Sequence, residues 1–155
     1  MWNYFTYVRN ISITFLFDNT FKVSGEFTTY DVLSDGLIKG QFIIETSVQN
    51  LHIIPSTVDL SSADIEFATT KDRSKLLEIA LKNSELDPYD YVFLDCPPSL
   101  SVLTVNALIA ADSLIIPLQS EFYALEGLSQ LLLSVREIRS SGNSDLRIDG
   151  VVLTM

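Results

Sequence analysis

Residues 89–100, YDYVFLDCPPSL, set one carboxylate at the end of an apolar run and a Pro-Pro pair directly beyond it. Val92, Phe93 and Leu94 read as a short strand covered on both faces, so Asp95 emerges at its carboxyl end, where open α/β sheets bind ligands. A carboxylate so placed helps to hold Mg²⁺ on a triphosphate in nucleotide-hydrolysing domains. Its plain alternative is a solvent-facing or helix-capping acid. Pro97 and Pro98 restrict the backbone as it leaves the strand, which suits a rigid strand exit. Cys96 beside the acid raises a nucleophile, but the only histidine, His52, falls on another strand, and a small buried cysteine is the commoner role. His52, between Leu51 and Ile53, reads as structural. Gln119 and Glu121 lie just past a further strand end, where they can cap the next helix.

Strands and helices must alternate to carry these groups. Residues 97–110 can form a helix opened by the prolines, residues 113–117 a buried strand, and residues 124–140 an amphipathic helix. On that last helix Leu125, Leu128, Leu132, Val135 and Ile138 share one face, read as core; Gly142 and Asn143 end it, and residues 148–154 supply another strand. This order predicts crossover connections and a mainly parallel sheet. Upstream, residues 51–54 read as a strand ended by Pro55, residues 61–67 and 74–81 as helices, and residues 11–23 as a hairpin turning at Asp18-Asn19.

Composition bounds the partners. At 155 residues and 47% hydrophobic the chain can bury one core, and no apolar run reaches the ~20 residues of a membrane span. No amino-terminal export signal is evident, and a single cysteine excludes an internal disulfide, so a reducing cytoplasm is expected. A net charge of −10, with basic residues scattered, does not favour nucleic acid.

The segment YDYVFLDCPPSLSVLTVNALIAADSLIIPLQSEFYALEGLSQLL closely resembles the ParA/Soj plasmid and chromosome partition ATPases, of the deviant Walker-A P-loop class. TTYDVL at residues 28–33 and NLHIIPSTVDLSSADIE at residues 50–66 resemble the same family, and the division-site regulator MinD shares the general plan. The resemblance divides the chain into an atypical amino-terminal segment, residues 1–27, and a partial ParA-like ATPase domain, residues 28–155. It implies an α/β fold, an incomplete P-loop NTPase-like domain with a mainly parallel sheet and flanking helices. It further implies ATP and Mg²⁺ as family cofactors, Asp95 as the Walker-B ligand of Mg²⁺, and Pro97, Pro98 and Gln119 as relics of the nucleotide and switch region. Family members form ATP-bound dimers, act with a ParB-like partner and bind DNA.

Two departures qualify this. The family's phosphate loop, K-G-G-x-G-K-T, has no counterpart, since none of the six glycines is followed by lysine. The motif D-x-D-P-Q is also missing; Asp18 is followed by Asn19 and Thr20. The expectation is a truncated ParA-like partition protein without autonomous ATPase activity, with no assigned catalytic residue and no ATP or Mg²⁺ held by the chain alone. A homo- or heterodimer with a ParA-like chain, a ParB-like partner, weak or absent DNA binding and no membrane association complete it. Two alternatives stay open: a non-enzymatic module that docks on an intact partition ATPase or its partner, and a gene remnant without a maintained role.

Overall fold

The computed structural model describes residues 4–8, 13–16, 25–56, 63–84, 86, 89–96, 101–119 and 124–154. In chain order the elements are β1 (Tyr4–Val8), β2 (Ile13–Leu16), α1 (Thr29–Asp35), β3 (Ile44–Glu45), β4 (His52–Ile54), α2 (Ala63–Glu66), α3 (Leu76–Lys82), β5 (Val92–Cys96), α4 (Val102–Ala110), β6 (Ser113–Gln119), α5 (Ala124–Ser141) and β7 (Arg147–Thr154). They build one seven-stranded sheet in the order β3-β4-β2-β5-β1-β6-β7.

Strands β4, β2 and β5 are mutually parallel, as are β6 and β7, whereas β1 runs antiparallel to both β5 and β6, and β3 antiparallel to β4. The sheet is therefore mainly parallel, as the alternating strand and helix pattern predicts. The expected hairpin over residues 11–23 is not formed by its first arm. Ile13–Leu16 pairs with β4 along one edge and with β5 along the other, which leaves no edge for a hairpin partner. A short β-branched and aromatic run suits a central strand as well as a hairpin arm. Residues 17–24, the rest of that expectation, lie outside the described residues.

Helices cover the sheet with aliphatic side chains. Leu33, Leu77, Leu103, Leu108, Leu131 and Val135 join Val92, Leu94, Leu114 and Ile116 in one buried cluster. The TTYDVL segment opens α1 because Asp31 accepts from both the Thr28 N–H, at 2.7 Å, and the Thr28 hydroxyl, at 2.9 Å. Gly36 ends that helix at φ +67°, a conformation a side chain would strain. Helix α4 starts at Ser101, whose hydroxyl accepts from the Thr104 N–H, later than the proline-led start expected from sequence.

The expected apolar face of α5 is rotated by one residue at its centre. Leu131 is 2% exposed and packs with Val135 and Ile138, whereas Leu132 is 44% exposed. Three consecutive leucines, Leu131 to Leu133, offered the periodic pattern more than one solution, and the spacing 131, 135, 138 is the one the core accepts.

Two asparagines tie the helices together. The buried Asn106 side chain donates to the Arg73 and Val102 carbonyls at 2.7 and 2.9 Å and accepts from the Leu77 N–H at 3.2 Å, joining α4 to the start of α3. Asn143 places its amide nitrogen within 3.0 Å of the Leu108, Ile109 and Ala111 carbonyls, closing the carboxyl end of α4 from the turn after α5.

Asn106→Ala is expected to destabilise the chain by about 1–3 kcal/mol, because it strands buried backbone groups of another helix. Urea denaturation measures this, and a loss within about 0.5 kcal/mol would show the network to be dispensable. The same assay separates the two leucines: Leu131→Ala should lose about 2–5 kcal/mol, and Leu132→Ala no more than about 1 kcal/mol.

Candidate functional site

Strands β2, β4, β5, β6 and β7 point the same way, so Leu16, Ile54, Cys96, Gln119 and Thr154 finish at one end of the sheet. That is the end at which an open α/β sheet receives ligands. Asp95 reaches it as expected, beside Leu16 of β2 in register, and is 3% exposed. A carboxylate this deep is sheltered from water, and an ionised form there requires compensating donors or a cation.

Gln119 reaches the same end but not the same place. Phe5 of β1 is opposite Asp95 on one side and Ile115 on the other, so Asp95 is level with Ile115. Gln119 lies two strands across, roughly 10 Å, and four residues further on, about 13 Å. Pro97, Pro98, Glu121 and Asp18 lie outside the described residues.

Strand β1 sits immediately beside the acid. Its first residue, Tyr4, is opposite Cys96, and its last, Val8, is opposite Val92. The chain therefore leaves β1 at the end of the sheet remote from Asp95. What β1 brings to the ligand end is its amino terminus, without a glycine or lysine among Tyr4–Val8. Among the described residues no group of three or more His, Cys, Asp or Glu side chains is placed to hold a metal ion. The described part of the site thus offers one buried carboxylate and no backbone cradle for phosphate.

Cys96 is buried, with its Sγ 3.6 Å from the Leu94 carbonyl oxygen. His52 stands on β4, with β2 between it and β5, and its Nδ1 is 2.9 Å from the Tyr89 hydroxyl, the two rings meeting edge to face at 5.3 Å. The histidine is thus in a packing contact away from Cys96. Burial, and then the negative charge of Glu45, raise the Tyr89 phenol above its ordinary value. This small polar cluster at the β3 edge was not signalled by the sequence, because strand pairing sets Glu45 opposite His52 and Tyr89 reaches His52 from 37 residues away.

A family model described as an AAA domain matches residues 10–148. The match includes residues 10–27, upstream of the segment that resembles the family most visibly. The sporulation initiation inhibitor protein Soj of Bacillus subtilis is 48% identical over 134 residues, 86% of this chain and 53% of that protein. The chromosome partitioning protein ParA of Caulobacter vibrioides is 48% identical over 129 residues, 83% of this chain and 48% of its own length. The chain spans about half the length of these curated relatives. Among solved structures, cobyrinic acid a,c-diamide synthase of Mycobacterium smegmatis with bound ADP and magnesium superposes with a TM-score of 0.81 at 29% identity, covering 94% of this chain and 61% of that one. A plasmid partition protein from Borrelia burgdorferi gives 0.73 at 25% identity, covering 90% and 63%. Fold, matched span and identity agree, and the chain belongs to the AAA-domain family as a ParA/Soj-type partition protein with a P-loop NTPase-like α/β domain.

Proposed function

We propose that this chain serves DNA segregation as a ParA-like module that neither holds nor hydrolyses Mg²⁺-ATP by itself. The observation that carries this reading is the direction of β1: the strand beside Asp95 begins at the ligand end, with Tyr4 opposite Cys96, and ends with Val8 opposite Val92 at the far end. The absence of any Gly-Lys pair from the sequence supports the same reading. A phosphate cradle supplies many charge-assisted hydrogen bonds, each worth about 1.5–3 kcal/mol. One carboxylate does not replace them, and without cations it repels the phosphates. Asp95, Pro97, Pro98 and Gln119 are then relics of a nucleotide and switch region, with Asp95 the former Mg²⁺ ligand. The likeness to Soj and ParA supports a cytoplasmic location and a ParA-like chain or a ParB-like protein as partner.

A second reading, a non-enzymatic module that docks on an intact partition ATPase or its partner, is favoured by apolar surface on β7. Val151, Val152 and Leu153 are 46, 51 and 72% exposed, along a strand at the edge of the sheet.

Calorimetric titration of the chain with ATP or ADP in Mg²⁺ should give no saturable binding at micromolar nucleotide. Saturable binding that Asp95→Ala abolishes would overturn the proposal, since it requires a phosphate site built from other residues.

Gel shifts with duplex DNA should show weak or no binding at physiological salt, because a chain of net charge −10 repels phosphate. Tight binding with a steep salt dependence is the contrary outcome and would reveal a basic patch gathered by folding.

A further inference from the structure

Three of the ten basic residues in the sequence, Lys71, Arg73 and Lys75, fall within five positions ahead of α3, with Asp72 the one acid among them. All four are exposed, so a cationic turn stands on a chain whose net charge is −10. Among the described residues the ion pairs are Lys39 with Asp35 and Lys82 with Glu78, and neither Lys71 nor Lys75 takes part in one.

The turn is held in one shape from inside the protein. Asn106, 1% exposed in the middle of α4, donates to the Arg73 carbonyl at 2.7 Å and accepts from the Leu77 N–H at 3.2 Å, so one buried side chain fixes the backbone on both sides of Lys75. The Lys75 N–H closes the turn on the Asp72 carbonyl at 2.7 Å. Asp72 takes φ +57°, a left-handed conformation that residues with a side chain adopt at a cost. Charges carried on a fixed backbone leave less ordering to be done when a ligand binds. Helix α3 carries the chain from the end of the sheet where β4 finishes to the end where the parallel β5 starts, so the turn ahead of it stands toward the ligand end.

We propose that the turn at residues 71–75 is a docking site for an acidic peptide segment in extended conformation. In such a segment alternate side chains share one face about 7 Å apart, so carboxylates at every second position can meet Lys71, Arg73 and Lys75, while hydroxyl donors between them meet Asp72. Nucleic acid fits less well. Its phosphate backbone brings no donor for Asp72, and the net charge of −10 opposes the dense charge of a duplex more than that of a few carboxylates. The turn also lacks a platform for bases: Phe67, the aromatic residue nearest to it in sequence, is 6% exposed and stacked with Tyr30.

The test is fluorescence anisotropy of a labelled synthetic peptide of alternating glutamate and serine, about 12 residues or some 40 Å long when extended, with the 155-residue chain and no nucleotide. A peptide with lysine in place of glutamate is the control. The glutamate peptide should bind saturably, and more weakly as salt rises, and the lysine peptide should not bind. Lys71→Glu/Lys75→Glu should weaken binding at least about tenfold. Arg136→Glu/Arg139→Glu changes the net charge by the same amount on α5, which packs against α4 and β6, and should leave the affinity within about twofold. All four positions are exposed, and unchanged thermal melting by circular dichroism shows that both variants fold. Lys71→Gln/Lys75→Gln is the milder second variant, with an expected loss of at least about threefold. The proposal is overturned by no saturable binding, by equal binding of the two peptides, by an affinity that the substitutions at 71 and 75 leave unchanged, or by an equal loss in Arg136→Glu/Arg139→Glu. It is overturned as well if duplex DNA displaces the peptide and loses its own binding in Lys71→Glu/Lys75→Glu.

Discussion

One central strand governs the integrity of this sheet, and its direction decides what stands beside Asp95. β1 lies between β5 and β6 and is hydrogen-bonded to both, so the half-sheet β3-β4-β2-β5 and the pair β6-β7 are joined only through it among the described strands. A central strand cannot be omitted without splitting the sheet, because its neighbours' backbone groups would be left without partners. Yet a strand that satisfies those groups can do so running either way. Here it runs antiparallel, and its last residue, Val8, is opposite Val92, at the end of β5 remote from Asp95. The hydrogen-bonding requirement is met by a strand whose amino terminus, not its carboxyl terminus, stands beside Asp95.

The remainder of the fold rests on aliphatic packing and two asparagine networks. Leu94, Leu114 and Ile116 on the sheet and Leu77, Leu108 and Leu131 on the helices are each 2% exposed or less, and Asn106 fastens α4 at its middle and Asn143 at its carboxyl end. Packing of this kind is set by apolar surface and satisfied polar groups. The architecture of a family and the activity of its site rest on different residues, which is why fold and activity must be argued separately.

The parts legible in the sequence are those set by local pattern. Val92, Phe93 and Leu94 mark β5 because three apolar residues bounded by Asp90 and Asp95 suit a covered strand, and Asp95 then has to stand at its end. Helix α5 is legible from its period, but not its register, since Leu131, Leu132 and Leu133 satisfy the pattern in more than one rotation. The neighbours and direction of β1 and β2 were not legible. An alternating strand pattern reads the same in both directions, and partners are chosen by residues some ninety positions away, as when Phe5 meets Asp95. The separation of Asp95 from Gln119 was hidden for the same reason: both lie at strand ends, and only the sheet order shows β1 between them.

The register of β1 against β5 is open to direct measurement, because Cys96 is the only cysteine in the chain. Opposed residues on antiparallel strands have Cα atoms about 4.5–5.5 Å apart, within the span of a disulfide. Tyr4 is opposite Cys96, and Val8 is at the other end of the strand. Under mild oxidation, Tyr4→Cys should form an intramolecular disulfide with Cys96, identified by mass spectrometry of the non-reduced peptides, and Val8→Cys should not. A disulfide in Val8→Cys and none in Tyr4→Cys would place β1 parallel to β5, return its following residues to the Asp95 end, and contradict the account.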